Sequence, residues 1–422
     1  MNGINGLFDF IKNCPSPYHT VKEAAGRLAS AGYKRLFEGD RWELSEGGKY
    51  FTVRNGTSLI AFRYKKGATG FNIIASHSDS PSFKVKESAE QKGAYTRLEV
   101  EKYGGMIYYS WLDRPLSVAG RALVNTDEGI EARLVNIDRD LVSIPSLAIH
   151  FNRGVNDGAK LNPATDMLPL YSLSKDKSLR SLVAEAAEVK EEDISSFDLY
   201  LYNRDEGRVF GAEDEFILCP RLDDLQCVYS SLIAFIESED SEALPVLAIF
   251  DNEEVGSDTK QGAASTFLPL TLERIGGENY IPMLSGSFIV SADNAHAKHP
   301  AHPEMSDPDN APMPNGGVVI KYNASQRYAT DGLSKAVFEK ICERAGVKTQ
   351  LYYNRADLPG GSTLGSIADT RVSVPTVDIG FAQLAMHSAN ETAGARDLAP
   401  MIKAMATFFA TPLSYEGEKI KF

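Results

Sequence analysis

Short, largely apolar runs alternate along this chain with stretches of helical periodicity, and several of the runs end in a polar cluster. Phe71-Asn72-Ile73-Ile74-Ala75-Ser76 leads into His77-Ser78-Asp79-Ser80-Pro81. Leu244–Ile249 leads into Phe250-Asp251-Asn252-Glu253-Glu254-Val255-Gly256-Ser257, and Ser287–Ala292 leads into Asp293-Asn294-Ala295-His296. Runs this short, bounded by Gly, Ser or Pro, read as strands buried on both faces. Between them, Ser16-Pro17 opens a helix that ends near Gly32, with proline at the first helical position. Leu225–Glu237 sets Val228, Leu232, Ala234 and Phe235 toward a core, and Leu333–Ala345 and Leu398–Ala410 also read as helices. Lys49–Arg54 and Ser58–Tyr64, joined through Asn55-Gly56, predict a hairpin. Strands alternating with helices predict an α/β domain whose ligands gather beyond the carboxyl ends of its strands.

From about Val85 to Phe216 the pattern changes. Thr96–Lys102, Leu116–Asn125, Ile130–Ile137 and Leu147–Phe151 are alternating, strand-like segments, with little helix before Ser178–Val189. This predicts a β-rich insertion, 86–215, between two pieces of an α/β domain, 1–85 and 216–422. His150 lies inside the insertion, where a core or interface histidine is the plain alternative to a functional one. The chain has 422 residues and a net charge of −13, which disfavours polyanionic partners such as nucleic acid or an anionic membrane. There is no apolar run long enough to span a bilayer and no signal-peptide pattern at the start. The four cysteines, Cys14, Cys219, Cys227 and Cys342, are scattered like reduced thiols, so the expected location is cytoplasmic.

The polar clusters carry the chemistry. Taken alone, Glu253-Glu254 would be two solvated carboxylates, but on an extended backbone one could bind a cation while the other faces a substrate. Asp79, two residues beyond His77, can take the second ring N–H and fix the tautomer of a metal-bound imidazole. One of Asp223 and Asp224 suffices to cap the helix that follows; if Asp224 does so, Asp223 is free to point elsewhere. A competing cluster, His296, His299 and His302, sits among prolines that favour a stiff surface loop. Gly360-Gly361-Ser362-Thr363 matches no nucleotide-binding spacing. His77, Asp223, Glu253-Glu254, Asp293 and His387 thus form a set of nitrogen and oxygen donors that suits Zn²⁺, with Co²⁺ or Mn²⁺ as substitutes. One ion would leave carboxylates uncompensated in a desolvated cleft, whereas two ions sharing a bridging aspartate and a water use the whole set. One glutamate then acts as base and the other as ligand, and the chemistry is amide hydrolysis.

The chain resembles the M18 metallopeptidases, the aspartyl aminopeptidases. The resemblance is carried by Ser76-His77-Ser78-Asp79-Ser80-Pro81, Arg221-Leu222-Asp223, Asp251-Asn252-Glu253-Glu254-Val255-Gly256-Ser257, Ser291-Ala292-Asp293-Asn294-Ala295-His296-Ala297 and Leu384-Ala385-Met386-His387-Ser388. Ser16-Pro17-Tyr18-His19 and Gln326-Arg327-Tyr328-Ala329 match as well, so it spans essentially the whole chain. It implies two zinc ions per subunit, one held by His77, Asp223 and Asp293 and the other by Asp223, Glu254 and His387, with Glu253 as the base. It also implies a three-layer α/β catalytic domain interrupted by a β-rich dimerisation domain, assembled from dimers into a tetrahedral dodecamer. In such an assembly His150 matches a histidine that reaches a neighbouring subunit's active site, and Lys321 matches a lysine of the substrate pocket, where an ammonium selects an acidic first residue. Two positions depart from relatives: Asp224 stands in place of asparagine, and Asn390 in place of an arginine found in some eukaryotic members. Both lower the positive potential offered to an acidic side chain. The expected substrates are peptides with a free N-terminus. The rivals are a carboxypeptidase or deacylase on a related fold, and a binding protein that keeps the fold without catalysis.

Overall fold

The apolar runs form the centre of a nine-stranded sheet in the computed structural model, which describes residues 3–173, 176–416 and 419–421. The strand order is Lys34–Leu36, Lys49–Arg54, Ser58–Arg63, Leu244–Phe250, Phe71–His77, Phe288–Ala292, Thr376–Gly380, Val318–Tyr322 and Thr349–Tyr353. The four strands from Leu244–Phe250 to Thr376–Gly380 run parallel, and every residue in them is buried. Period-two alternation sorts their side chains into two cores. Ile73, Ala75, Val246, Ala248 and Phe250 pack under the helices Phe267–Gly276, Tyr280–Leu284 and Leu364–Val372. Ile74, Leu247, Ile249 and Val290 pack under Ile4–Asn13, Pro17–Ser30, Leu222–Glu237, Gly332–Ala345 and Leu398–Phe409. This is a three-layer α/β arrangement, and it places the polar clusters together at one edge because parallel strands all end on the same side. In the hairpin, Asn55 and Gly56 both take the left-handed backbone (φ 57° and 77°) that Asn-Gly supplies at low cost.

Strands between Ser82 and Asn203 build a second, antiparallel sheet in the order Gly129–Asn136, Leu116–Thr126, Ile194–Asn203, Ser82–Lys92, Thr96–Tyr103 and Leu170–Ser172. The helix Leu179–Ala187 covers its core. Asp198 ties this sheet to the first: it accepts from Lys84 and Arg121 and from the Tyr18 hydroxyl of the other body, while Arg121 also donates to the Asn55 carbonyl. A five-stranded sheet, Arg208–Phe210, Phe216–Cys219, Glu391–Gly394, Ala382–Leu384 and Ala295–His296, lies beside the strand ends.

Three local expectations are corrected. Leu147–Phe151 is not a strand; Phe151 N–H bonds the Ala148 carbonyl in a turn, Ile149 and Phe151 are 47% and 80% exposed, and no strand among the described residues pairs with them. Asp224 does not cap a helix, because Asp223 and Asp224 themselves sit outside helical geometry and neither side chain bonds the helix N-terminus. Glu253–Val255 is a 3₁₀ turn entered through Asn252 at φ 63°, so the two glutamates diverge by turn geometry rather than by strand alternation. No helix among the described residues is long and apolar enough to cross a membrane, and all four cysteines are free and buried.

Candidate metal centre

The side chains of the candidate set arrive from five separate places in the chain. His77 ends the strand Phe71–His77, where it lies in register with Phe250 of the neighbouring strand. Asp223 sits in the irregular first turn of Leu222–Glu237, and Asp293 directly follows Phe288–Ala292. Glu253 and Glu254 follow Leu244–Phe250, and His387 lies in the loop between the paired strands Ala382–Leu384 and Glu391–Gly394. Strand Thr376–Gly380 closes tightly on this region: a Cβ at Gly380 would meet the Asp293 carbonyl oxygen at 2.0 Å, so only glycine fits.

The donor atoms converge in three overlapping groups, two of which share Asp223. His77 Nε2 lies 3.6 Å from Asp223 Oδ1 and 3.9 Å from Asp293 Oδ1, and His387 Nε2 lies 3.4 Å from Asp223 Oδ2 and 3.5 Å from Glu254 Oε2. Ligands on one tetrahedral zinc, with bonds of about 2.0–2.1 Å, sit about 3.3 Å apart, so these separations suit a cation between each pair. Asp223 Oδ1 is buried without a hydrogen-bond partner, as expected of an atom reserved for an ion. A Glu253 oxygen lies within 4.8 Å of a His77 ring nitrogen and a Glu254 oxygen. Asp224 also faces this cluster: its Oδ2 accepts from the His77 backbone N–H and stands 3.9 Å from His77 Nε2.

The ring orientations are set from behind. His77 Nδ1 faces the Asp79 carbonyl at 3.1 Å and the Asp79 carboxylate at 3.4 Å. His387 Nδ1 faces the Gly105 carbonyl at 2.8 Å. A carbonyl can only accept, so each neutral ring carries its proton on Nδ1 and turns the Nε2 lone pair toward the carboxylates. Asp79 does more than the sequence suggests. It accepts from Tyr103 O–H and from the backbone N–H groups of Glu253 and Glu254, which fixes the 3₁₀ turn beneath His77.

Electrostatics point the same way. Burial, together with Asp293, Asp79 and Asp223, pushes Glu253 up to about 8 against the opposing pull of His77, and burial likewise drives Asp224 and Glu254 far above the carboxylate range. Burial would lower His77 and His387, but the surrounding carboxylates overrule it and raise both, His387 to about 10. Asp223 is held well below its ordinary value; burial opposes this, and the neighbouring rings of His387 and His77 prevail. Carboxylates crowded enough to retain protons on one another mark an excess of negative charge that cations would relieve.

Other candidates fall elsewhere. Lys321 is 1% exposed; its ammonium donates to the carbonyls of Asp293 (2.8 Å) and Asn294 (3.2 Å) and lies 3.4 Å from Asp293 Oδ2. His150 is exposed on the loop beyond Leu147. His299 stacks on His302 at 5.3 Å, and with His296 neither joins a metal-competent group among the described residues. His296 and His299 instead line a cavity of about 320 Å³ with Tyr352, Arg355 and Met386, the residue before His387. Asn390 spends its amide on Asp205.

Glu391 is among the residues that the sequence pattern does not reveal. Only 2% exposed, it accepts from the Asp223 backbone N–H at 2.9 Å and from the His387 backbone N–H at 2.7 Å. It joins two donors far apart in sequence. Its spacing of four residues from His387 was the only available hint.

Known proteins bear on this geometry. The family model for aminopeptidase I zinc metalloproteases (M18) matches residues 10–409. The chain is 44% identical over 421 residues to a probable M18 family aminopeptidase 2 of Clostridium acetobutylicum, covering 96% of this chain and 97% of that one. A protein described in the same words in Clostridium novyi is 41% identical, with 96% and 98% covered. Among solved structures, the chain in a cryo-EM structure of an Ape4 and Nbr1 complex superposes with a TM-score of 0.92 at 35% identity, over 96% of this chain and 85% of that one. That of the S. cerevisiae mApe1 dodecamer gives 0.84 at 30%, over 96% and 95%. The chain belongs to the M18 family of zinc aminopeptidases and is a peptide hydrolase.

Proposed function

We propose that the protein is a dinuclear aminopeptidase that removes the first residue of peptides. The observation that carries this reading is Asp223, which offers one carboxylate oxygen to His77 and the other to His387. His77, Asp223 and Asp293 would hold one zinc ion, and Asp223, Glu254 and His387 the other. When bound there, zinc supplies Lewis acidity toward a peptide carbonyl and acidifies water. Glu253, outside both donor trios, takes a proton from the attacking water and returns it to the leaving amine. Cation charge beside it counters the upward push of its buried surroundings and favours the ionised form that a base needs. Exchange of Glu253 for Gln leaves the zinc donors intact and removes the proton carrier. Turnover is expected to fall by about 10²–10⁴-fold with zinc content unchanged. Activity on an N-acetylated peptide equal to that on the free peptide would overturn the aminopeptidase reading.

The preferred first residue is proposed to be acidic. The cavity that Met386 lines supports this: His296, His299 and Arg355 line it as well, although Arg355 is already paired with Asp357. For Lys321 to contribute, it must exchange the Asn294 carbonyl for the substrate carboxylate. Rates on Asp-, Glu-, Leu- and Lys-naphthylamides with wild type and Lys321→Ala test this; equal losses on all four would contradict it. The proposed assembly is a tetrahedral dodecamer built from dimers, in the cytoplasm, with the exposed loop carrying His150, Ile149 and Phe151 in the subunit contact. The dodecameric relative, the exposed apolar side chains and the free cysteines support it. The proposed division is 1–85 plus 216–422 for catalysis and 86–215 for dimerisation.

A further inference from the structure

The antiparallel sheet reaches into the metal centre of its own chain. Strand Thr96–Tyr103 ends beside the strand ends of the larger sheet, and residues 103–107 run along the second donor trio. Gly105 O faces His387 Nδ1 at 2.8 Å, and Ile107 N–H donates to the His387 carbonyl at 3.0 Å, so the histidine is held by ring and backbone. Gly104 has φ +78°, and a Cβ there would lie 3.1 Å from Glu254 Cβ and 3.4 Å from Glu254 Oε2, the oxygen that faces His387. Tyr103 O–H donates to Asp79 at 2.8 Å and accepts from Asn252, and Asp79 in turn holds the Glu253 and Glu254 amides. The loop after His387 is pinned from the same side: Ala389 N–H donates to Ser110, and Asn203 donates to the Ala389 carbonyl. His77, by contrast, takes its ring support from Asp79, two residues away.

We propose that the turn Tyr103-Gly104-Gly105 is a positioning element for the second donor trio, with Gly105 fixing the ring of His387, Gly104 leaving space for Glu254, and Tyr103 anchoring the turn that carries both glutamates. This rests on the dinuclear reading above. It gives the antiparallel sheet a role within each chain that is separate from joining chains, and it makes occupancy of one half of the centre depend on that sheet.

Gly104→Ala tests it against Gly67→Ala. Gly67 has nearly the same backbone angle (φ +75°) but nothing within 4 Å of its Cβ position, so it reports backbone strain alone. Zinc content and affinity, read by mass spectrometry and by competition with a chelator, come first. Wild type and Gly67→Ala are expected to hold two ions per chain. Gly104→Ala is expected to keep one with unchanged affinity and to bind the other about 10–100-fold more weakly, with kcat restored by added zinc. Tyr103→Phe leaves the backbone untouched and carries the test should Gly104→Ala not fold. Because Asp79 also orients His77, both ions feel the loss of the hydroxyl, and the ion of the second trio is expected to weaken severalfold more than the other. Unchanged affinity in both variants, or equal weakening of both ions, would overturn the proposal. A wild-type chain that binds only one ion would overturn the dinuclear reading on which it rests.

Discussion

The two halves of the candidate metal centre share Asp223 and differ in almost everything else. The His77 half is sealed: the side chains of His77, Asp223 and Asp293 are 1%, 3% and 10% exposed, and the His77 ring is held by Asp79, two residues away. The His387 half is open: its histidine is 31% exposed, sits in a loop, and is oriented by a carbonyl 282 residues away in the other sheet. A site built on the ends of rigid parallel strands is preorganised, whereas one built on a loop is only as rigid as the contacts that pin it. On the dinuclear reading, the difference predicts a tight, slowly exchanging half and a looser one.

The largest expected effect erases the difference. Asp223→Ala removes the donor common to both halves, so zinc content should fall below one ion per chain and hydrolysis to less than about one ten-thousandth of wild type. Retention of one tightly bound ion would mean that the halves do not share this residue. A second measurement sharpens the contrast: on titration with a chelator, zinc should leave in two steps, the first from the His387 half, separated by about 10-fold or more in affinity. His387→Ala should abolish the first step only, and a single step in wild type would contradict the asymmetry. Glu391→Gln sits between the halves. Its amide nitrogen cannot accept, so either the Asp223 or the His387 backbone N–H loses its acceptor, with an expected cost of about 10–100-fold in kcat or in affinity for the looser ion. No change in either would assign Glu391 to folding alone.

The smallest effect concerns the join between the two sheets. Burial would raise Asp198, but hydrogen bonds and charges from Lys84 and Arg121 overrule it and hold its carboxyl below the usual range. A depressed folded value contributes stability above the unfolded value of about 4, and that stability is lost as pH falls through the folded value. Asp198→Asn should therefore cost about 1 kcal/mol or less at pH 7, and the gap to wild type should close in acid. Denaturant midpoints at pH 7 and pH 3 check this; a gap that widens in acid would contradict the sign.

The contrast between the halves also explains how much the sequence revealed. His77, Asp223, Glu253, Glu254 and Asp293 stand at the ends of apolar runs or beside a helix start, and burial on both faces makes such runs conspicuous. The α/β class follows from the same pattern, whereas the three-layer arrangement was implied by the family resemblance. Tyr103, Gly104, Gly105 and Glu391 are illegible because only the fold brings them to Asp79, Glu254, His387 and Asp223, their respective partners far off in sequence. Asp224 was misread for a related reason: an acidic residue before a helix has a local explanation, and only the tertiary approach of the His77 amide reveals the other one. Leu147–Phe151 alternates like a strand, yet alternation cannot say whether a partner strand exists in the same chain.

Anomalous diffraction at the zinc edge from crystals of the zinc-loaded protein tests the central claim most directly. Two peaks per chain are predicted, one among His77, Asp223 and Asp293 and one among Asp223, Glu254 and His387, with Glu253 bound to neither. A single peak, or zinc held by His299 and His302 instead, would contradict it.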